Sequence, residues 1–173
     1  MNSDTAALSA QLRELIHHLS DGSLDKAETQ TLIDITLEAQ EKPEAVVKRL
    51  YGADAAQMIA RYPDDVTAFI LGVELEDYLI VANTVDELWE ETIDCFEAPQ
   101  LADFPYDDMP FEDIEGFYHW ADEQLQAHHP DYALIEFGQH YSFEFQLILI
   151  RRNAVETVLS LCQGLGIHAQ PCA

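Results

Sequence analysis

Residues 131–167 read DYALIEFGQHYSFEFQLILIRRNAVETVLSLCQGLGI, and the rest of the chain is organised around them. Phe143, Phe145, Leu147 and Leu149 alternate with Glu144, Gln146, Ile148 and Ile150. Successive side chains of a strand point to opposite faces. One face is therefore apolar throughout, and the other turns from polar to apolar along its length. That is the pattern of a central strand with one end more deeply covered. Ala133, Ile135 and Phe137 repeat it, and Gly138-Gln139-His140-Tyr141 reads as a short glycine-containing turn. The two runs are expected to pair as an antiparallel hairpin. A helix follows at once. Asn153 and Glu156 have capping-box spacing, and Val155, Val158, Leu159, Cys162 and Leu165 form one apolar face to lay on the sheet. Gly164 and Gly166 stand where a left-handed C-terminal turn is expected.

Upstream, Thr67–Val73 (TAFILGV) and Tyr78–Ala82 (YLIVA) are short apolar runs that read as two more strands. Periodicity alone leaves a buried helical segment open for one of them. Thr84 and Glu87 open a helix with Val85, Leu88, Trp89 and Phe96 inward, whose outer face (Asp86, Glu87, Glu90, Glu91, Asp94) is wholly acidic. Pro99–Pro110 is a loop interleaving aromatic and acidic residues. A helix over 112–128 turns Ile114, Phe117, Tyr118, Ala121 and Leu125 inward. Residues 1–62 read as four short helices, with capping residues Asp25 and Glu28 and with Pro43 in a first helical turn. The expectation is an α+β fold: a helical N-terminal section (1–62), then a domain over 63–168 with a four-stranded, mainly antiparallel sheet covered by helices. Residues 169–173 are expected as a disordered tail.

Charge is the dominant global feature, with 33 acidic residues against 8 Lys and Arg and a formal net charge of −25. Six of the eight basic residues lie within 1–62, and between Arg61 and Arg151 there are 22 Asp and Glu but no Lys or Arg. Such a field repels nucleic acid and anionic membrane and attracts basic proteins or cations. Simple solubility is the plainer account of the same charge. No segment approaches the roughly 20 apolar residues of a membrane span. The N-terminus lacks a basic start and an uninterrupted apolar run, so no signal peptide is expected and the cytoplasm is the expected compartment. Cys95, Cys162 and Cys172 are odd in number and form no pair motif, which speaks against a disulfide framework or a zinc site.

The densest oxygen-rich cluster is Asp103, Asp107, Asp108, Glu112, Asp113 and Glu115, with His119 one helical turn on. Glu115 and His119 have a spacing that presents two ligands on one face. Asp107, Asp108, Glu112, Glu115 and His119 are thus candidate ligands for a hard cation, although the ordered spacing of a calcium loop is absent. A solvated acidic surface is the plainer account. His140, in the hairpin turn, could join a site with Glu136. The tandem pairs His17-His18 and His128-His129 do not chelate by themselves, because adjacent helical residues do not face each other. No nucleophile elbow or phosphate-cradling glycine loop is present, and no catalytic or cofactor-binding residue is assigned. Phe104, Tyr106 and Trp120 form either an exposed aromatic patch rimmed by Glu87, Glu90 and Glu91 or a loop folded over its helix. The first arrangement suits a protein interface.

Two resemblances add to this reading. Residues 21–28, DGSLDKAE, resemble the DG-x-x-D-x-x-E turn-and-cap of tellurite-resistance-type helical domains, though capping alone explains them. Residues 67–168 resemble a small bacterial family of unknown function, on VDELWEE at 85–91, YALIEFG at 132–138 and LILIRRNAVETVLSLCQGLGI at 147–167. That resemblance implies an apolar strand, an acidic helix and a final hairpin-helix, and carries over no catalytic residue. It leaves the helical front section unexplained.

The functional expectation is a non-enzymatic cytoplasmic protein that binds a basic protein partner through its acidic middle, in an inhibitor, immunity-like or DNA-mimic role. The alternative is a metal-dependent enzyme built on the 103–119 cluster and nearby histidines. Self-association as a homodimer through the 143–149 edge or the aromatic patch is compatible with either.

Overall fold

The computed structural model describes residues 3–173. In chain order the elements are α1 (Ser3–Leu19), α2 (Lys26–Glu41), α3 (Pro43–Tyr51), α4 (Ala53–Arg61), α5 (Val66–Glu74), β1 (Leu79–Ala82), α6 (Val85–Ile93), α7 (Ile114–His128), β2 (Tyr132–Phe137), β3 (Phe145–Arg151), α8 (Val155–Gly164) and β4 (Ala169–Pro171). The four strands form one antiparallel sheet in the order β1-β3-β2-β4. The architecture is α+β, a helical front followed by a sheet covered by helices.

The hairpin at 131–151 is its axis. Ile135 faces Ile148 and Leu134 faces Leu149 across β2 and β3. Both strands are buried on both faces because each face carries its own core. On one face Ile135, Phe137, Ile148 and Ile150 pack with Leu12, Ile16, Ile33, Val47, Ile59 and Ile70 of the front helices and Val158 and Cys162 of α8. On the other, Leu134, Leu147, Ile80 and Ala82 pack with Leu88 and Trp89 of α6, Phe117, Ala121 and Leu125 of α7, and Leu101 and Phe104 of the loop between them. Complete burial of an aliphatic or aromatic side chain contributes about 1.5–3 kcal/mol. Two filled layers therefore clamp the sheet.

Several local expectations are corrected. Residues 67–73 are helical, within α5, and not a strand. Pro63-Asp64-Asp65, which ends α4, also opens the next helix through a 3-10 turn with proline in its first position. Within α5, Val66, Thr67, Ile70 and Leu71 are the buried set, a helical and not an alternating spacing. The fourth strand is instead β4, at residues expected to be a loose tail. Phe137 pairs with Ala169 and Glu136 with Gln170, and the Gly138 and Cys172 N–H groups donate to His168 and Leu134 carbonyls at either end. The hairpin connection is longer than expected, spanning 138–144. Phe143 lies outside the strand and is 40% exposed. β3 is interior, paired with β1 on one side and β2 on the other, so 143–149 offers no free sheet edge for self-association.

Caps divide in the same way. Asp25 and Glu28 form the reciprocal capping box of α2, at 2.8 and 2.9 Å. Asn153 makes no such cap, because Arg152–Ala154 forms a 3-10 turn that leads into α8. Gly166 has φ +71°, the left-handed turn expected after α8. Ile114, expected inward, is exposed, and Asp113 caps α7 through Gly116 N–H at 2.8 Å.

Candidate functional site

The acidic surface is built from α6 and the loop before α7. Residues 85–93 repeat apolar positions at helical spacing, so Leu88, Trp89 and Thr92 are buried and the carboxylates of the opposite face are displayed. The loop is fixed to that helix from beneath. Trp89 is fully buried, donates from Nε1 to the Ala102 carbonyl at 2.7 Å, and meets Trp120 edge-on with ring centres 4.8 Å apart. Phe104 inserts among Phe111, Phe117 and Trp120 and is only 7% exposed. Gly116 is needed where Phe111 folds back, since a Cβ there would lie 2.9 Å from that of Phe111.

Of the two aromatic arrangements, the folded-over loop is the one adopted. Phe104 is buried, Trp120 half-buried, and only Tyr106, at 59%, is well exposed. Tyr106 lies over α6 with its hydroxyl 3.0 Å from Asp86 Oδ2 and 3.1 Å from Glu90 Oε1. One hydroxyl proton serves one carboxylate at a time, so Tyr106 eases a like-charge pair at i,i+4 without cancelling it. Desolvation, and after it these two acceptors, pushes the Tyr106 pKa up to about 12. Hydrogen bonds, first from Thr84 and then from Tyr106, hold Asp86 below the usual aspartate range despite its desolvation.

Between α6 and the loop lies a shallow cleft of about 520 Å³. Glu90, Asp103, Asp107 and Asp108 supply its carboxylates, and Ile93, Phe104 and Pro105 its apolar surface beside Tyr106. Among the described residues no Lys, Arg or His forms an ion pair with Asp86, Glu90, Asp103, Asp107 or Asp108. Arg49, Arg151 and Arg152 instead pair with Glu38, Asp21 and Asp122.

The sequence candidates thus divide. Glu90, Asp107, Asp108, Tyr106 and Phe104 meet at this cleft. Glu87 is partly occupied as an acceptor for the Asn83 N–H at 3.3 Å, and Glu91 is exposed but does not line the cleft. Glu112, Glu115 and His119 are exposed and outside it. Among the described residues no three His, Cys, Asp or Glu side chains are grouped so as to hold a metal ion. Asp103 belongs to the cleft although sequence reasoning placed it only in the broader cluster. Its position follows from the Trp89–Ala102 anchor, which no local pattern announces. Of the histidines, His129 stacks on Phe96 at 3.9 Å and meets the Pro99 carbonyl at 2.6 Å, a packing role at the root of the same loop.

Fold and cleft define an α+β protein with a helix-and-loop acidic face. No protein-family model matches the chain, and no curated protein or solved structure shows significant similarity to it.

Proposed function

We propose that the protein is a binding protein for a basic protein partner, which it engages through the α6 face and the 103–108 loop. The carrying observation is the cleft itself: four carboxylates around an exposed tyrosine and an apolar floor, with no ion-pairing cation among the described residues. A lysine or arginine side chain complements each part. Its charge meets the carboxylates, its methylene stem the apolar floor, and its head group the Tyr106 ring. Uncompensated charge of one sign also raises the association rate of an oppositely charged partner. An inhibitor-like or immunity-like role suits such a surface, since occupying a basic site needs charge and shape but no chemistry. The reading takes the cytoplasm as its setting, in keeping with three unpaired cysteines.

Amide chemical-shift mapping with an arginine-rich peptide tests this. Shifts concentrated on 86–94 and 103–108 support the proposal. Shifts spread evenly over the acidic surface, α1–α3 included, would reduce the charge to solubility.

A further inference from the structure

A second cavity, of about 610 Å³, opens beside the β2–β3 connection and shares no residue with the acidic cleft. Its polar lining includes Tyr118 of α7, Glu136 of β2, His140 and Glu144 of the connection, Gln146 of β3, and His168 just before β4. Glu136 sits on an interior strand, paired with Leu147 on one side and Gln170 on the other, so its backbone is held from both sides. Its carboxylate is oriented as well. The Tyr118 hydroxyl donates to Oε1 at 2.9 Å, Gln170 Nε2 donates to Oε2 at 2.6 Å, and His168 Nε2 lies 3.4 Å from Oε2. A carboxylate oxygen offers about two acceptor positions, and the Tyr118 hydroxyl takes one of those on Oε1, so the other stays open. The side chain remains 25% exposed.

The rest of the wall complements that open position. Ser142 N–H donates to His140 Nδ1 at 3.1 Å, which holds the imidazole in place as part of the wall. Phe143 packs edge-on to the same ring at 4.7 Å, and Tyr141 and Phe145 add apolar surface. Glu144 contributes a second carboxylate, and among the described residues no lysine or arginine lines the cavity. The volume falls in the range of small-molecule sites, and an oriented polar group on a rigid element beside aromatic walls is how such sites fix a ligand.

We propose that this cavity binds a small organic cation, an ammonium or amidinium group with N–H donors on a compact apolar body, and that Glu136 is its anchor. The cation completes the acceptor set of Glu136 while its body packs against Phe143. This site is independent of the protein-binding face.

The test is calorimetric titration of the full chain with benzamidine, and with benzamide as the uncharged isostere, at 0.15 M salt to suppress loose attraction to a chain of net charge −25. One saturable benzamidine site is expected, with benzamide at least tenfold weaker. Glu136→Gln should weaken benzamidine tenfold or more, while the cleft variant E90Q/D107N/D108N should leave it within twofold of the parent. Should Glu136→Gln lose its fold by circular dichroism, His140→Ala decides, because it alters the wall without touching the Glu136 bonds. A severalfold loss is expected there. Unsaturable uptake, equal binding of benzamide, unchanged binding in the folded variant tested, or an equal loss in the cleft variant would each overturn the proposal.

Discussion

Arg151 grips Asp21 across 130 residues of sequence, Nε to Oδ1 and an Nη to Oδ2, both at 3.1 Å. The contact ties the α1–α2 turn to the end of β3. Tyr132 completes it, donating its hydroxyl to Asp21 Oδ2 at 3.0 Å while the Arg151 guanidinium lies over its ring at 4.6 Å. Asp21 also holds φ +51°, a conformation that aspartate and asparagine tolerate better than most residues. Arg151 lowers the Asp21 pKa below its ordinary 3.8 against the opposing effect of desolvation, and Tyr132 lowers it further.

That depression predicts a pH dependence. A carboxyl that titrates lower in the folded chain than in the unfolded one stabilises fully above pH 3.8, and this contribution fades as pH falls through the folded value. Both partners are nearly half exposed, so solvent screening limits the pair to about 0.5 kcal/mol. Asp21→Asn keeps the turn geometry and should cost that much at pH 7 in urea denaturation, with the gap to the parent closing below pH 3.8. A gap that persists unchanged at pH 2.5 would assign the effect to the turn and not to the charge.

Trp89 should couple core stability to the acidic cleft. Trp89→Phe removes the donor to the Ala102 carbonyl and part of a fully buried indole. The expected cost is about 2 kcal/mol. Amide exchange in 101–106 should accelerate more than in β2 and β3, and peptide affinity should fall with it. Uniform acceleration would mean that the loop is held by something other than this anchor.

The three thiols should separate by reactivity. Cys95 is exposed, but its Sγ turns back to the Glu91 carbonyl at 3.4 Å. Burial of the thiol, then Glu91 and Asp94, raises its pKa, so less thiolate is present at neutral pH than in a free cysteine. Iodoacetamide should modify Cys95 first but more slowly than a model thiol, and faster in Glu91→Gln. Cys162 and Cys172 are buried and should react only on unfolding. Early modification of Cys172 would show that β4 detaches readily from β2.

Much of the fold was legible because its axis is a long, regular pattern. Residues 132–137 and 145–151 carry apolar side chains on both faces over enough positions to imply central strands, and the apolar stripe of 155–165 implies their cover. The misread parts are those where local pattern is weak. TAFILGV is apolar at nearly every position, so its period is invisible, and burial of Thr67 against Gln40 of α2 at 3.1 Å comes only with tertiary packing. β4 is three residues long and holds a proline, tolerated because it is an outer strand with a single neighbour. The acidic face of α6 could be read from its helical period, whereas the joining of Asp103, Asp107 and Asp108 to Glu90 depends on the Trp89 anchor. The partners of Glu136 come from residues 118, 168 and 170, which no spacing along the chain connects.

The central claim is that binding follows the position of the carboxylates and not their number. Two variants with the same change in net charge separate these: E90Q/D107N/D108N in the cleft, and E41Q/E44Q/E156Q at exposed positions elsewhere. The measurement is fluorescence anisotropy of a labelled arginine-rich peptide at 0.15 M salt. The cleft variant should lose tenfold or more in affinity while the distant variant stays within twofold of the parent. Equal losses in the two would contradict the account and leave the charge as a solubilising surface.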